Sequence, residues 1–216
     1  MSARSEAKQS EVEAVLRAAP VVAVVVVEDR AHAVPLARAL VAGGILAIEI
    51  TLRTPAALDA IRAVAAEVEG AIVGAGTLLR PSDFDAVAKA GARFGVSPGF
   101  TPTLIDAADA QALPFLPGAA TVSESLFLYE RGYRLQKFFP AAAAGGPDYL
   151  RSLASPLPGI RFCPTGGITA ATAPSWLALP NVVCIGGSWM CAPALVAAHD
   201  WLRIEQLARQ AAAIGR

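Results

Sequence analysis

Lys137 stands in the stretch Arg134-Leu135-Gln136-Lys137-Phe138-Phe139-Pro140, near the end of a short apolar run that a proline closes. An ammonium among Leu135, Phe138 and Phe139 is poorly solvated. Burial penalises its charged form, and the neutral amine that results can attack a carbonyl carbon. A lysine of this kind taken alone usually runs its stem along the strand end and keeps its charge in water, so the case rests on its companions. Glu49 interrupts the run Ile45-Leu46-Ala47-Ile48-Glu49-Ile50. By itself it reads as a strand-end carboxylate paired with Arg53; among apolar walls it reads as a general acid/base. An amine and a carboxyl meeting at one site supply nucleophile and proton shuttle, the minimum for Schiff-base chemistry.

Other polar residues fall at the ends of apolar runs. Thr51 and Arg53 follow Glu49, and a third run ends in Gly74-Ala75-Gly76-Thr77. Ser97-Pro98-Gly99 follows a fourth, Thr165-Gly166-Gly167 a seventh and Gly186-Gly187-Ser188 an eighth. Paired glycine turns let backbone N–H groups approach an anion, so the last two loops are expected to hold a phosphate. His32 and His199 are expected at the surface, and Trp176 and Trp189 in the core or an interface. Cys163 and Cys184 read as packing within strands, while Cys191 is left open. No cluster of histidine, cysteine and carboxylate has metal-ligand spacing, which argues against a metal-dependent reaction.

The elements that must position these residues alternate. Ser10 with Glu13 suggests a capping box opening a first helix that presents Val12, Val15, Leu16 and Ala19 and ends at Pro20. Strands are expected at Val21–Val27, Ile45–Ile50, Ala71–Gly76, Ala92–Val96, Leu113–Pro117, around Lys137, Ile160–Pro164 and Val182–Ile185. The fifth contains two prolines, which remove ladder donors. Helices are expected between them: a stripe of Ala33, Leu36, Ala37, Leu40 and Val41 closed by Gly43-Gly44; one capped at Thr54-Pro55; and one from Pro81 packing Phe84, Val87 and Ala88. Further helices open at Thr101-Pro102 and at the capping box Thr121/Glu124, and the last carries Trp201, Ile204, Leu207, Ala208 and Ala211. Strand–helix alternation without hairpins implies a parallel sheet. Eight units in 216 residues suit an α/β chain folded as a (β/α)8 TIM barrel with an extra N-terminal helix, one domain spanning 1–216. An open doubly wound sheet remains the alternative, but no Gly-x-Gly-x-x-Gly follows the first strand.

With 55% hydrophobic and 17% charged residues the chain has material for a core and little for disorder. Its 18 basic and 18 acidic residues balance, with no basic cluster for nucleic acid or an anionic membrane. The polar segment 1–10 does not read as a signal peptide, and Val21–Val27 is too short to span a bilayer. Three cysteines without metal spacing fit thiols in a reducing compartment, so a cytoplasmic protein is expected.

Taken together, these motifs resemble the 2-keto-3-deoxy-6-phosphogluconate aldolase/4-hydroxy-2-oxoglutarate aldolase family. The resemblance rests on Leu40-Val41-Ala42-Gly43-Gly44, Glu49-Ile50-Thr51-Leu52-Arg53-Thr54, Val73-Gly74-Ala75-Gly76-Thr77 and Ser97-Pro98-Gly99. It continues through Lys137-Phe138-Phe139-Pro140, Arg161-Phe162-Cys163-Pro164-Thr165-Gly166-Gly167 and Cys184-Ile185-Gly186-Gly187-Ser188-Trp189. It implies a class I, metal-free aldolase of the Entner-Doudoroff pathway, without cofactor and usually a homotrimer. Its substrate would be a phosphorylated 2-keto-3-deoxy sugar acid and one product pyruvate. By this resemblance Lys137 is the Schiff-base lysine and Glu49 the general acid/base. Arg53 and Thr77 surround the substrate carboxylate, and Gly166, Gly167 and Ser188 form the phosphate site. Pro98, Phe139, Thr165, Gly186 and Gly187 complete the substrate pocket. Two departures are visible: Ala141-Ala142-Ala143-Ala144 where a glutamate and an asparagine are expected, and Ala23 where proline is expected. Other readings are an aldolase for the galacto epimer or for 4-hydroxy-2-oxoglutarate, a phosphate-binding barrel isomerase or decarboxylase, and a non-catalytic phosphosugar-binding protein.

Overall fold

A computed structural model of the chain describes residues 3–215. Short β-branched runs become strands and the amphipathic segments between them become helices. The strands are β1 Val21–Val25, β2 Ala47–Thr51, β3 Ile72–Gly76, β4 Gly95–Val96, β5 Phe115–Leu116, β6 Gly118–Ala119, β7 Leu135–Phe138, β8 Arg161–Pro164 and β9 Ile185–Gly187. The helices are α1 Ala3–Arg17, α2 Ala33–Ala42, α3 Ala57–Glu67, α4 Pro81–Lys89, α5 Pro102–Ala110, α6 Val122–Glu130, α7 Gly146–Leu153, α8 Ala173–Leu177, α9 Pro193–Ala197 and α10 Trp201–Ala212. All strand pairings are parallel.

One sheet runs β5-β4-β3-β2-β1-β9 and a second β6-β7-β8. The sheets abut twice. Pro117 alone separates β5 from β6, because a proline has no N–H to give the ladder, yet its carbonyl accepts from Lys137 N at 2.8 Å. Parallel bridges Phe162–Val182 and Thr165–Gly186 link β8 to β9.

Alternation along each strand sorts the side chains into two layers. Val21, Ala23, Val25, Ile48 and Ile50 pack outward against Leu36, Leu40, Ile61 and Val64 of the helices. Val22, Ala47, Phe94, Val96, Leu116, Leu135, Cys163 and Cys184 form an inner layer, which Val12, Val15 and Leu16 of α1 join. Gln9 Oε1 accepts from Arg134 N at 2.9 Å and Leu135 N at 3.0 Å, so α1 covers the amino-terminal end of β7. The carboxyl ends remain open.

Several boundaries depart from the pattern reading. Ser10 opens no helix: α1 already runs from Ala3, and Ser10 Oγ donates back to the Glu6 carbonyl at 3.0 Å, the mid-helix habit of serine. Thr54 does not cap α3, whose first flanking residue is Ala56. Its hydroxyl donates to the Val27 carbonyl instead, joining two loops at the carboxyl side of the strands. Ala88 lies on the exposed face of α4, and Ala90 takes the buried place. The last strand is displaced towards its glycines: Gly186 and Gly187 are strand residues of β9 rather than a loop after it.

Candidate active site

β2 carries Glu49 and β7 carries Lys137 into the inner layer, and Lys137 Nζ lies 3.2 Å from Glu49 Oε1. Their side chains are only 6% and 4% exposed. Glu49 therefore pairs across the strands and not with Arg53, which lies exposed on the loop after β2. Lys137 Nζ also stands 5.2 Å from the centroid of the Phe139 ring, within reach of a cation–π attraction. β3 makes room for the pair. A Cβ on Gly76 would overlap the Glu49 carboxylate, which is why this strand ends in glycine.

Above the pair opens a cavity of about 420 Å³. All twelve residues expected at the site line it: Glu49, Arg53, Thr77, Pro98, Lys137, Phe139, Thr165, Gly166, Gly167, Gly186, Gly187 and Ser188. Val24, Val26, Ile168 and Pro193 line it as well. The sequence carries no sign of these four, since an apolar residue in a strand, a loop or the first turn of a helix looks like any packing residue. Cys191, left open above, is a wall residue too. Its thiol lies against the Val24 and Ser188 carbonyls at 3.5 and 3.4 Å, and burial pushes its pKa up to about 12. At neutral pH it stays protonated.

Gly166 and Gly167 adopt φ of 103° and 74°, the left-handed region that glycine enters without a Cβ penalty. The turn they make lines the cavity, and a glycine turn of this kind can offer backbone N–H groups to an anion. It is held from below by the alanine segment, where Ala141 N and Ala142 N donate to the Thr165 and Gly166 carbonyls at 2.8 and 3.0 Å. The alanines thus support the turn through their backbone and add no polar side chain to it. In β9, Gly186 leaves space for the Thr165 side chain and Gly187 for the Trp189 ring. Thr77 has φ 63°, a conformation that costs a β-branched residue on the order of 1–3 kcal/mol. The buried Leu78, whose N–H donates to the Val96 carbonyl at 3.1 Å, holds the next residue in place.

Among the described residues no group of three or more histidines, cysteines and carboxylates is arranged to hold a metal ion. His32 and His199 stand apart from the cavity, their Nε2 atoms 2.9 Å from each other. Trp176 is core.

A buried amine paired with a carboxyl, beneath a glycine turn at the carboxyl ends of parallel strands, is the equipment of a class I aldolase. Comparison with known proteins agrees. A family model for KDPG and KHG aldolase matches residues 12–207. The chain is 50% identical to the KHG/KDPG aldolase of Escherichia coli K12 over 92% of its own length and 93% of that protein's. The crystal structure of the Zymomonas mobilis 2-keto-3-deoxy-6-phosphogluconate aldolase with 3-phosphoglycerate superposes with a TM-score of 0.91 at 45% identity, covering 96% of this chain and 98% of that one. A Legionella pneumophila KDPG aldolase, with pyruvate captured as a covalent carbinolamine, superposes with a TM-score of 0.91 at 42% identity, covering 93% and 98%. The chain belongs to the KDPG and KHG aldolase family.

Proposed function

We propose that this enzyme cleaves 2-keto-3-deoxy-6-phosphogluconate to pyruvate and glyceraldehyde 3-phosphate through a Schiff base on Lys137. The observation that carries the reading is the buried Lys137–Glu49 pair at 3.2 Å on the floor of the cavity. Glu49 takes the ammonium proton, and the free amine attacks the C2 ketone. The carbinolamine loses water with Glu49 moving the protons, directly or through a bound water. The iminium draws electrons from the C3–C4 bond as the C4 hydroxyl gives up its proton, and the aldehyde leaves. Protonation of the enamine and hydrolysis of the iminium release pyruvate and restore the amine. Arg53 holds the substrate carboxylate in its planar fork, with Thr77 beside it. The Gly166-Gly167 turn and Ser188 hold the phosphate, while Pro98, Phe139, Thr165, Gly186 and Gly187 shape the walls. The covalent carbinolamine of the Legionella relative and the 3-phosphoglycerate in the Zymomonas relative support both halves of this assignment.

The cycle needs no metal and no cofactor, since the iminium is itself the electron sink. The scaffold in this reading is one domain over 1–216, a (β/α)8 TIM barrel with an extra N-terminal helix, in which β5 and β6 count as one strand interrupted at Pro117. It works as a homotrimer in the cytoplasm. Among the described residues no helix is long and apolar enough to cross a membrane.

Steady-state assays of the pure enzyme, with pyruvate release coupled to an indicator reaction, test the substrate. The gluco substrate should be cleaved at the same rate before and after exhaustive EDTA treatment. Activity lost to EDTA and restored by zinc or magnesium would contradict the metal-free cycle. Higher kcat/KM on the galacto epimer or on 4-hydroxy-2-oxoglutarate would replace the substrate and leave the chemistry intact.

A further inference from the structure

Two thiols that the aldolase cycle does not use lie beneath the cavity wall. Cys163 sits on β8 in register with Lys137 of β7, and Cys184 lies one residue before β9. Both are buried in the inner layer, among Val22, Phe94, Leu116 and Leu135. Their Sγ atoms are 3.5 Å apart, with the Cys184 thiol directed at the Cys163 sulfur. On its other side, Cys163 Sγ lies 4.0 Å from Thr165 Oγ1, and Thr165 is itself part of the cavity wall. A layer of valine, leucine and phenylalanine needs only small apolar fillers at these two places. Two sulfurs in contact bring a chemistry that packing does not require.

We propose that Cys163 and Cys184 are a redox-active dithiol, which hydrogen peroxide entering through the cavity converts to an intramolecular disulfide that reversibly slows the enzyme. The Cys163 sulfur, nearer the wall, attacks one peroxide oxygen as its S–H proton is lost; the O–O bond breaks and water leaves, giving a sulfenic acid. The Cys184 sulfur then attacks the sulfenyl sulfur; the S–S bond forms, the S–O bond breaks, and a second water carries off the hydroxyl with the Cys184 proton. Two thiols and one peroxide become one disulfide and two waters. The peroxide is the only oxidant.

The consequence for activity follows from packing. Closing the gap between the sulfurs draws β8 towards the segment entering β9. Those two segments also meet at the Thr165–Gly186 bridge, where the Thr165 side chain already fills the space a Cβ on Gly186 would need. The strain therefore reaches Thr165 and the Gly166-Gly167 turn above it. A displacement of about 1 Å in such a supporting shell costs on the order of 10²-fold in rate. Cys191 is not a competitor for the bond, since its sulfur faces the Val24 and Ser188 carbonyls.

The test treats the full-length wild-type protein with hydrogen peroxide and reads it without regard to substrate. Intact mass should fall by two hydrogen atoms, non-reducing peptide mapping should join the peptides of Cys163 and Cys184, and dithiothreitol should reverse both. In parallel, kcat/KM should drop by roughly tenfold or more and recover on reduction. Cys184→Ala should keep basal activity and lose the reversible inhibition; Cys163→Ala serves the same purpose should the first variant fold poorly. Mass unchanged by peroxide, a bridge through Cys191, or inhibition persisting in both variants would overturn the proposal. Because the mass and mapping results need no turnover, failure here and failure of the aldolase reading are distinguishable.

Discussion

Lys137 and Glu49 form the one ion pair among the described residues in which both side chains are buried; every other pair lies at the surface. Removing one partner of such a pair strands a charge and costs about 3–5 kcal/mol, which is why its neighbours are built tightly around it. Gly76 is the sharpest case. Gly76→Ala should push the Glu49 carboxylate off Lys137, lowering kcat/KM on the order of 10²-fold while circular dichroism stays unchanged. A fully active Gly76→Ala would mean that the position of Glu49 is not critical. At this scale the sequence was highly legible, because a charged residue inside an apolar run stands out and glycines at strand ends point to backbone function. What escaped was context. The residues alone offered Glu49 two partners, the nearby Arg53 and Lys137, 88 residues away, and the choice between them is made by two strands that meet only after folding. Val24 and Val26 escaped for the opposite reason, being indistinguishable from core.

The elements show where local signals compete. Thr121 with Glu124 is a true capping box, with both reciprocal hydrogen bonds made, whereas Ser10 with Glu13 has the same spacing and lies in mid-helix. Local chemistry permitted either; the docking of α1 decided. Gln9 accepts two backbone N–H groups at the start of β7, and Lys8 Nζ donates to the Ala108 carbonyl at 2.8 Å, so the helix is anchored along the turns that precede Ser10. Likewise the strand interrupted at Pro117 could be placed from sequence but not divided, because the division follows from which ladder donor is missing. The role of α1 is open to a direct check. Gln9→Ala leaves the Arg134 and Leu135 amides without their acceptor, which should cost about 1–3 kcal/mol. That would lower Tm by several degrees for a chain of this size, at roughly 2–4 °C per kcal/mol. Since Gln9 lies at the amino-terminal ends of the strands and the cavity at the carboxyl ends, kcat should not change. A loss of kcat at unchanged Tm would show that α1 communicates with the site.

On the scale of the whole molecule, large apolar side chains remain uncovered on α6, after β3 and, at Leu202, on α10. Leu79 follows β3, and Val122, Leu126 and Tyr129 lie on α6, each at least 40% exposed. Beside them Phe100, after β4, stacks on Phe127 with ring centroids 5.0 Å apart. The homotrimer proposed above would cover the α6 face. Leu126→Lys should then shift sedimentation equilibrium from trimer towards monomer, and a wild-type protein that sediments as a monomer would remove the trimer from the account. The central claim concerns which of three lysines in the whole chain, Lys8, Lys89 or Lys137, does the chemistry. Incubation with pyruvate and borohydride reduces an iminium in place, so intact mass should rise by one pyruvate-derived group per chain, and peptide mapping should put it on Lys137. Lys137→Arg keeps the charge but offers no usable nucleophile; it should fold, take no label and lose cleavage by orders of magnitude. Glu49→Gln should still be labelled while turning over slowly. Label on Lys8 or Lys89, or near-normal cleavage by Lys137→Arg, would contradict the mechanism.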